Sequence, residues 1–311
     1  MTTAIDVRGV TKTYDELTAV NDVSLTLQRG TVMGLIGPNG AGKTSLLRMI
    51  STLSLADSGE VLVEGFSVRR APREVRRRLG FMPAEFGCPR GVTIGEYLEY
   101  FCCLYGLSEW DRRQRIRDVC ELTELRGREE TFVSGLSTGN RQRLLLAKTL
   151  LHDPSVLILD EPASGLDPRA RMELRAIIRT LASLGKAVLI SSHILPDIED
   201  VSDAIGIMEA GRLVLQGDLA QLQRSAESTQ QQVRLRVPAG QQEAAMEALR
   251  RLSEVTECRM LDDELRVVVH AADASCVLEA LLRERIRVVY FAENTGNLEE
   301  IFLRSTAGNV T

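Results

Sequence analysis

One glycine-rich segment limits the folds open to this chain more than any other feature. Residues 37–44 read GPNGAGKT; an apolar, strand-like stretch at 32–36 precedes them, and a helical stretch beginning at Ser45 follows. Glycines let backbone N–H groups approach an anion closely, and the following helix directs its positive dipole end to the same place. The sequence therefore predicts a strand–loop–helix unit that holds a chain of phosphates.

Two side chains at the end of this loop carry its expected chemistry. Lys43 is expected to bridge the β- and γ-phosphates of a nucleotide, and the Thr44 hydroxyl to bind Mg²⁺. Kinases, GTPases and motor ATPases all use such loops, so the loop alone leaves the activity open. The predicted nucleotide contacts of this segment are Gly37, Pro38, Asn39, Gly40, Ala41, Gly42, Lys43, Thr44 and Ser45.

A second acidic element narrows the choice of activity. Residues 156–161 read VLILDE, a buried strand that ends in two carboxylates. Asp160 can enter the shell of a metal ion there, and Glu161 can lie beside the γ-phosphate as the general base for water. The alternative is a polar strand end without a role, which the preceding phosphate loop disfavours.

A third element, LSTGN at 136–140, precedes a helix that runs from Arg141 to Leu151. Ser137 is explained equally well as a simple N-cap. The start of that helix nonetheless offers unpaired N–H groups and a hydroxyl, which together suit an anion.

The chain alternates short apolar strands with helical patterns from its start to about residue 220, as in an α/β domain with a mixed, largely parallel sheet. The runs 156–159 and 187–191 are continuously apolar, which indicates strands buried on both faces. Between about 85 and 151 helical spacing replaces this alternation, and this predicts an inserted helical subdomain. Thr93 and Glu96 have the spacing of a capping box.

A polar stretch, 221–232, is predicted to link two domains, which span 1–222 and 233–311. The second domain has the order of a small α+β, ferredoxin-like sandwich. Its predicted elements are strand 233–237, helix 241–252, strand 255–260, strand 265–270, helix 275–285, strand 288–291 and a closing helix at 298–303.

Composition excludes several classes of protein. The 311 residues carry a net charge of −5, which argues against binding nucleic acid by bulk charge. No run of about 18 apolar residues occurs, and no signal sequence is recognisable at the start, so we expect a non-secreted chain whose membrane partner, if any, is another polypeptide. The cysteines form no CxxC pair, which favours a reducing compartment; they are Cys88, Cys102, Cys103, Cys120, Cys258 and Cys276.

Five motifs, taken together and in this order, indicate one protein family. GPNGAGKT, LSTGN, LILDEP, SGLD and SSH, over roughly residues 1–220, resemble the ATP-binding subunit of an ATP-binding cassette (ABC) transporter, which has a P-loop NTPase fold. RRRLGFMPAEFG at 76–87, GVTIGEYLEYFCCLYGL after it and NLEEIFLRST near the end are similar to bacterial drug-efflux exporters with a small carboxy-terminal domain.

This resemblance implies roles for further residues. Tyr14 occupies the position of an aromatic residue that stacks on adenine, although an ordinary surface tyrosine is the alternative. Ser137 and Gly139 are implied to contact the γ-phosphate of ATP held by an opposite subunit, so each site is split across a dimer. His193 is implied to contact the γ-phosphate and the attacking water. Asp167 is implied to lie at the dimer seam, and an N-cap role explains it equally well.

The sequence departs from the family pattern in two places. A glutamine that reaches Mg²⁺ and the membrane partner aligns with Ala84, and the neighbouring Glu85 is not a proven substitute. The signature reads LSTGN and not the commoner LSGGQ, but its phosphate-facing positions are retained. His152 and His270 lack any motif and are expected to be structural or surface residues.

The leading hypothesis is an ATP-hydrolysing motor. Two copies, or one copy and a related ATPase, close around ATP and Mg²⁺ and drive export of a drug, antibiotic or lipid-like molecule through a separate permease, at the cytoplasmic face of the membrane. One alternative is a soluble cassette ATPase that acts on nucleic acid or ribosomes. Another is a regulatory cassette that binds ATP without hydrolysing it. The arginines of 69–78 form a positive cluster that is interpreted as a solvated face.

Overall fold

The computed structural model describes residues 2–84, 87, 90–222, 231–261, 264–270 and 274–294. These residues divide into two compact units, the first ending at Asp218 and the second beginning at Leu219. No helix in the described ranges is both long enough and apolar enough to cross a membrane.

Strands and helices alternate through the first unit. Its strands are β1 (Thr3–Tyr14), β2 (Leu17–Gln28), β3 (Val32–Ile36), β4 (Ser58–Val63), β5 (Phe66–Ser67), β6 (Leu79–Met82), β7 (Val156–Asp160), β8 (Ala187–Ser192), β9 (Ala204–Glu209) and β10 (Arg212–Asp218). Its helices are α1 (Lys43–Ile50), α2 (Pro72–Arg78), α3 (Ile94–Leu104), α4 (Glu109–Leu122), α5 (Thr138–Leu150), α6 (Pro168–Ser183) and α7 (Leu195–Glu199), with a short 3₁₀ turn at Val133–Gly135.

The central sheet has the order β10-β9-β3-β8-β7-β6. Pairing is parallel from β9 through β6, and β10 joins β9 in the antiparallel sense. Every residue of β3, β7 and β8 is buried, so the prediction of strands covered on both faces is confirmed. This parallel sheet places the carboxyl ends of β3, β7 and β8 at one edge.

A second sheet, antiparallel and ordered β2-β1-β4-β5, shares one apolar core with the central sheet and α1. Val7 and Leu25 contribute from the antiparallel sheet, Met33 from the parallel one and Leu47 from the helix. Because α1 is buried along this core, the loop that precedes it is fixed on a rigid support.

The predicted helical stretch contains α3, α4 and α5. Thr93 and Glu96 form the predicted capping box, in which the Thr93 hydroxyl accepts from the Glu96 N–H and the Glu96 carboxylate accepts from the Thr93 N–H at 2.8 Å. Ile94, Leu98 and Cys102, spaced four residues apart, are fully buried on one face of α3.

The second unit contains β11 (Gln231–Arg236), α8 (Gln242–Arg250), β12 (Val255–Leu261), β13 (Glu264–Val269), α9 (Ser275–Arg283) and β14 (Tyr290–Asn294). Its sheet is antiparallel, ordered β12-β13-β11-β14, which is the predicted ferredoxin-like topology. Helices α8 and α9 cover one face of the sheet and share its core.

Three details of the second unit differ from the prediction or lie outside it. The last strand begins at Tyr290 and not at Val288, because pairing with β11 starts where Tyr290 is opposite Arg236; Val288 precedes it and packs against the core. The predicted linker 221–232 overlaps regular structure at both ends, since residues 219–222 are helical and β11 begins at Gln231, while residues 223–230 lie outside the described ranges. The closing helix predicted at 298–303 lies outside the described residues.

The uncovered face of this second sheet carries a row of three exposed arginines. Arg266 is directly opposite Arg234 on one side and Arg259 on the other. Arg259 is paired with Glu257, whereas Arg234 and Arg266 have no carboxylate partner in the described part of the chain. Like charges directly opposite each other in a sheet are destabilising.

We expect Arg266→Glu to stabilise the second unit by roughly 0.5–1 kcal/mol, because two repulsive cross-strand pairs become attractive. Hydrogen–deuterium exchange of the β11 and β13 peptides measures this, since the one tryptophan, Trp110, lies in the other unit. Arg287→Glu, an equal charge change at an exposed position outside the sheet, is the control. The gain should shrink in high salt; protection no higher than that of the parent at low salt contradicts this interpretation.

Candidate nucleotide-binding site

The segment 37–44 leaves β3 and curls over the start of α1. Gly42 caps this helix with φ of 97°, and a Cβ added there would lie 2.2 Å from the carbonyl oxygen of Ala19. At Gly37 an added Cβ would lie 2.3 Å from the carbonyl oxygen of Met208. Glycine is therefore required at both positions by a close approach of backbone, and at Gly42 also by its left-handed conformation.

Lys43 is held inside this loop. Its side chain is 6% exposed, and Nζ donates to the carbonyl oxygens of Gly37 at 2.6 Å and Pro38 at 3.1 Å. Burial lowers the pKa of Lys43, while the charges of Glu161 and Asp160 act in the opposite direction. Nζ lies 3.9 Å from Glu161 Oε1. The loop thus presents one partly desolvated cation beside the two carboxylates at the end of β7.

Asp160 is the last residue of β7 and is 2% exposed. Its Oδ1 accepts a hydrogen bond from the Ser191 hydroxyl at 2.5 Å and another from the Thr44 hydroxyl at 3.4 Å. A carboxylate and a hydroxyl next to a phosphate loop are hard oxygen ligands, the type that Mg²⁺ prefers. The donor set at Thr44 and Asp160 therefore fits a magnesium ion that is shared with phosphates.

Glu161 follows with a left-handed backbone, at φ of 50°. Its N–H donates to the Ser191 hydroxyl at 3.0 Å, and its Oε2 lies 2.8 Å from Nδ1 of His193. A non-glycine residue in this conformation is uncommon and needs support from its surroundings. Ser191 supplies that support and connects the carboxylate of Asp160 with the backbone of Glu161.

Lys43, Thr44, Glu161 and His193 line one open cleft of about 560 Å³, a volume within the range of small-molecule sites. Tyr14 borders it with 41% of its surface exposed, and Lys12 Nζ lies 5.3 Å from the centre of the tyrosine ring. An exposed ring beside the loop is free to stack on a base. The cleft is lined by Tyr14, Leu17, Ala19, Asn39, Gly40, Ala41, Gly42, Lys43, Thr44, Ser45, Ala84, Glu161, Ser164 and His193.

The signature residues are not part of this cleft within one chain. Ser137 caps α5, and its hydroxyl accepts from the Asn140 N–H at 3.4 Å. Gly139 lies in the first turn of the same helix. Asp167 caps α6 by accepting from the Ala170 N–H at 2.9 Å. Both N-cap interpretations therefore hold, and Ser137 remains exposed at its helix start.

The remaining sequence-predicted positions are placed as follows. Ala84 borders the cleft, and Glu85 lies outside the described residues. His152 is structural: its Nε2 is 3.0 Å from the carbonyl oxygen of Leu79, its ring stacks on Tyr105, and burial lowers its pKa. His270 is exposed.

Sequence reasoning missed two residues of the site. Ser191 binds the carboxylate of Asp160 and the backbone N–H of Glu161. Ser164 lines the cleft. The SSH motif contains Ser191, but the motif alone does not say which of its two serines faces β7. That choice follows from the register, in which Ser191 is opposite Asp160.

Comparison with known proteins agrees with this geometry. The family model described as ABC transporter matches residues 20–164. The chain is 30% identical to the linearmycin resistance ATP-binding protein LnrL of Bacillus subtilis (strain 168), over 97% of this chain and 98% of that protein. It is 36% identical to the daunorubicin resistance ATP-binding protein DrrA3 of Streptomyces coeruleorubidus, over 98% and 96% respectively.

A solved structure of the ATP binding subunit of an ABC transporter superimposes with a TM-score of 0.65 and 28% identity, over 71% of this chain and 92% of that one. The relatives match along nearly the full chain, so the likeness is not restricted to the phosphate loop. The resemblance seen in the motifs is confirmed: the chain belongs to the ABC transporter family, as one of its ATP-binding, ATP-hydrolysing subunits.

Proposed function

We propose that this subunit powers the export of a drug, antibiotic or lipid-like molecule through a separate transmembrane permease. The observation that carries the proposal is that Lys43, Glu161 and His193 line one cleft, while Asp160 lies beside it in contact with the Thr44 hydroxyl. The resistance proteins to which the chain is similar favour a drug-like cargo.

The proposed catalytic residues are Glu161 and His193. Glu161 acts as the general base that takes a proton from the attacking water, and His193 orients the carboxylate through their 2.8 Å contact and contacts the γ-phosphate. Lys43 and the loop 37–45 hold the phosphates, and Tyr14 stacks on the adenine. Thr44 and Asp160 hold Mg²⁺, which when bound neutralises charge on the β- and γ-phosphates.

The site is proposed to be completed by a second copy or a related ATPase. Ser137 and Gly139 stay outside the cleft of their own chain, and Ser137 is exposed at the positive end of α5. These residues are therefore available to a γ-phosphate held by Lys43 of the opposite subunit. ATP can favour such a closed pair only through its higher affinity for that state, and loss of the γ-phosphate removes this bias.

The division of labour follows the two units. Residues 1–222 are proposed to form the ATP-binding motor, with a helical subdomain at about 85–151, and residues 233–311 an accessory domain. The subunit is proposed to act at the cytoplasmic face of a membrane. Where the family has a glutamine, this chain has Ala84, which offers no polar group to the metal. We infer that turnover is slower than in relatives with glutamine at this position.

No described feature favours the nucleic-acid alternative. The arginine cluster near α2 is partly neutralised, since Glu74 pairs with Arg77 and Arg78, and the Arg78 guanidinium lies 4.2 Å from the centre of the Phe66 ring. The chain as a whole carries a net charge of −5, so bulk charge does not favour binding to nucleic acid. We therefore propose no contact with nucleic acid.

Glu161→Gln should leave ATP binding intact and lower turnover by about 10²–10⁴-fold, because the amide cannot accept the proton of the attacking water. ATP trapped in the site should then accumulate a closed dimer. Phosphate release and size-exclusion chromatography with Mg²⁺ and ATP measure the two effects. Unchanged phosphate release refutes Glu161 as the base.

Mixing two inactive variants tests the split site directly. Lys43→Ala removes the phosphate lysine, and Ser137→Arg blocks the signature surface, so either variant alone should lack ATPase activity. In a mixed dimer one site carries both defects and the other carries neither. Random pairing should restore roughly a quarter of the parent activity, because half of the dimers are mixed and each has one intact site. No recovery on mixing, with pairing verified by a tag on one variant, contradicts a shared site.

A further inference from the structure

Arginine–aspartate pairs join α6 to α7 and to the segment after α7. The arginines recur every four residues along α6, and the aspartates recur every three residues from α7 onwards. The pairs are Arg171 with Asp197, Arg175 with Asp197 and Asp200, and Arg179 with Asp203.

Asp197 is the buried member of this ladder. Its side chain is 5% exposed, and Oδ1 accepts from Arg171 Nη1 at 3.4 Å and Arg175 Nη2 at 3.2 Å. Arg175 also donates to the carbonyl oxygen of Pro196 at 3.0 Å. A buried carboxylate is stable only while its partners remain in place. Displacement of α7 is therefore opposed by the desolvated charge of Asp197.

Arg171 reaches two parts of the site with one guanidinium. Its Nε donates to the carbonyl oxygen of Leu166 at 3.1 Å, while Nη1 donates to Asp197. Leu166 lies in the SGLD loop, between Ser164, which lines the cleft, and Asp167. His193 lies between the end of β8 at Ser192 and the N-cap of α7 at Ile194, and Asp197 is four residues after it, on α7. The side chain of Arg171 thus connects the SGLD loop with the helix that follows His193.

We propose that Arg171 is a positioning residue for ATP hydrolysis, which holds His193 against Glu161 and ties that contact to the SGLD loop. The inference rests on the proposed catalytic roles of these two residues. Because 41% of the His193 side chain is exposed, packing restrains the ring little, and its place depends on the backbone between the end of β8 and the start of α7.

The geometry of the bridge requires arginine. A guanidinium offers several N–H donors in a fixed plane and binds two acceptors at once, whereas the single ammonium of lysine does not span both. Arg171→Lys keeps a positive charge beside Asp197 but loses the simultaneous hydrogen bonds to Leu166 and Asp197. Misplacement of a catalytic group by about 1 Å costs on the order of 10²-fold in rate. We expect a ten- to hundredfold loss of kcat with the KM for ATP within about twofold of the parent.

A double-mutant cycle with His193→Ala distinguishes positioning from a general structural defect. If Arg171 acts through His193, Arg171→Lys should lower kcat in the parent and change it little once His193 is absent. Single-turnover rates of the purified full-length chain, per mole of bound ATP, exclude an effect of inactive protein. Asp197→Asn removes the charge that Arg171 binds, and it should lower kcat in the same His193-dependent way. If Arg171→Lys does not fold, the cycle is carried out with Asp197→Asn.

Arg179→Gln is the matched control, because it removes an exposed ion pair about two turns beyond Arg171 on the same helix and should leave the rate unchanged. If the losses of kcat in Arg171→Lys and His193→Ala add in the double variant, the positioning role is refuted. An equal loss of kcat in Arg179→Gln refutes it as well. Neither result affects the proposal that Glu161 is the general base for ATP hydrolysis. If the parent protein shows no Mg²⁺-dependent turnover, the proposed function fails, and the inference fails with it.

Discussion

The arrangement of the site depends on the two hydrogen bonds of the Ser191 hydroxyl. It donates to Asp160 and accepts from the N–H of Glu161, so one side chain on β8 fixes both the carboxylate that is proposed to hold Mg²⁺ and the residue with a left-handed backbone that follows it. This works because β7 and β8 are parallel and fully buried, with Ser191 opposite Asp160. Since β8 also pairs with β3, the loop that carries Lys43 leaves the same edge of the sheet. The charges of the site are thus positioned by sheet register.

The sequence was most informative where backbone geometry leaves little choice. At Gly37 and Gly42 any side chain would collide with a neighbouring carbonyl, so the glycine pattern specifies the loop together with its strand and helix. Buried parallel strands require continuous apolar runs, which is why the ranges of β3, β7 and β8 were predicted almost to the residue. The order of the second unit was predicted for a similar reason, since its strands alternate between core and solvent.

Long-range side-chain contacts could not be predicted in this way. Arg171 reads as one of many arginines on a helix, and its bridge to Leu166 and Asp197 appears only when residues 26 positions apart are brought together. The same holds for the choice of Ser191 over its neighbour, which depends on register. Val288 was assigned to a strand because it is apolar, although it packs in the core just before pairing begins.

At Ser137 and Asp167 the observed structural role is compatible with the functional role that the family resemblance implies. Each accepts a backbone N–H at the start of its own helix, and this bond fixes the rotamer of the capping side chain. A cap also marks the place where the remaining N–H groups and the positive end of the helix dipole face outward. At Ser137 such an end is exposed, so the interaction that begins α5 would also prepare its surface for the anion that the proposed second subunit brings. The cap is then a condition for the function proposed for this serine.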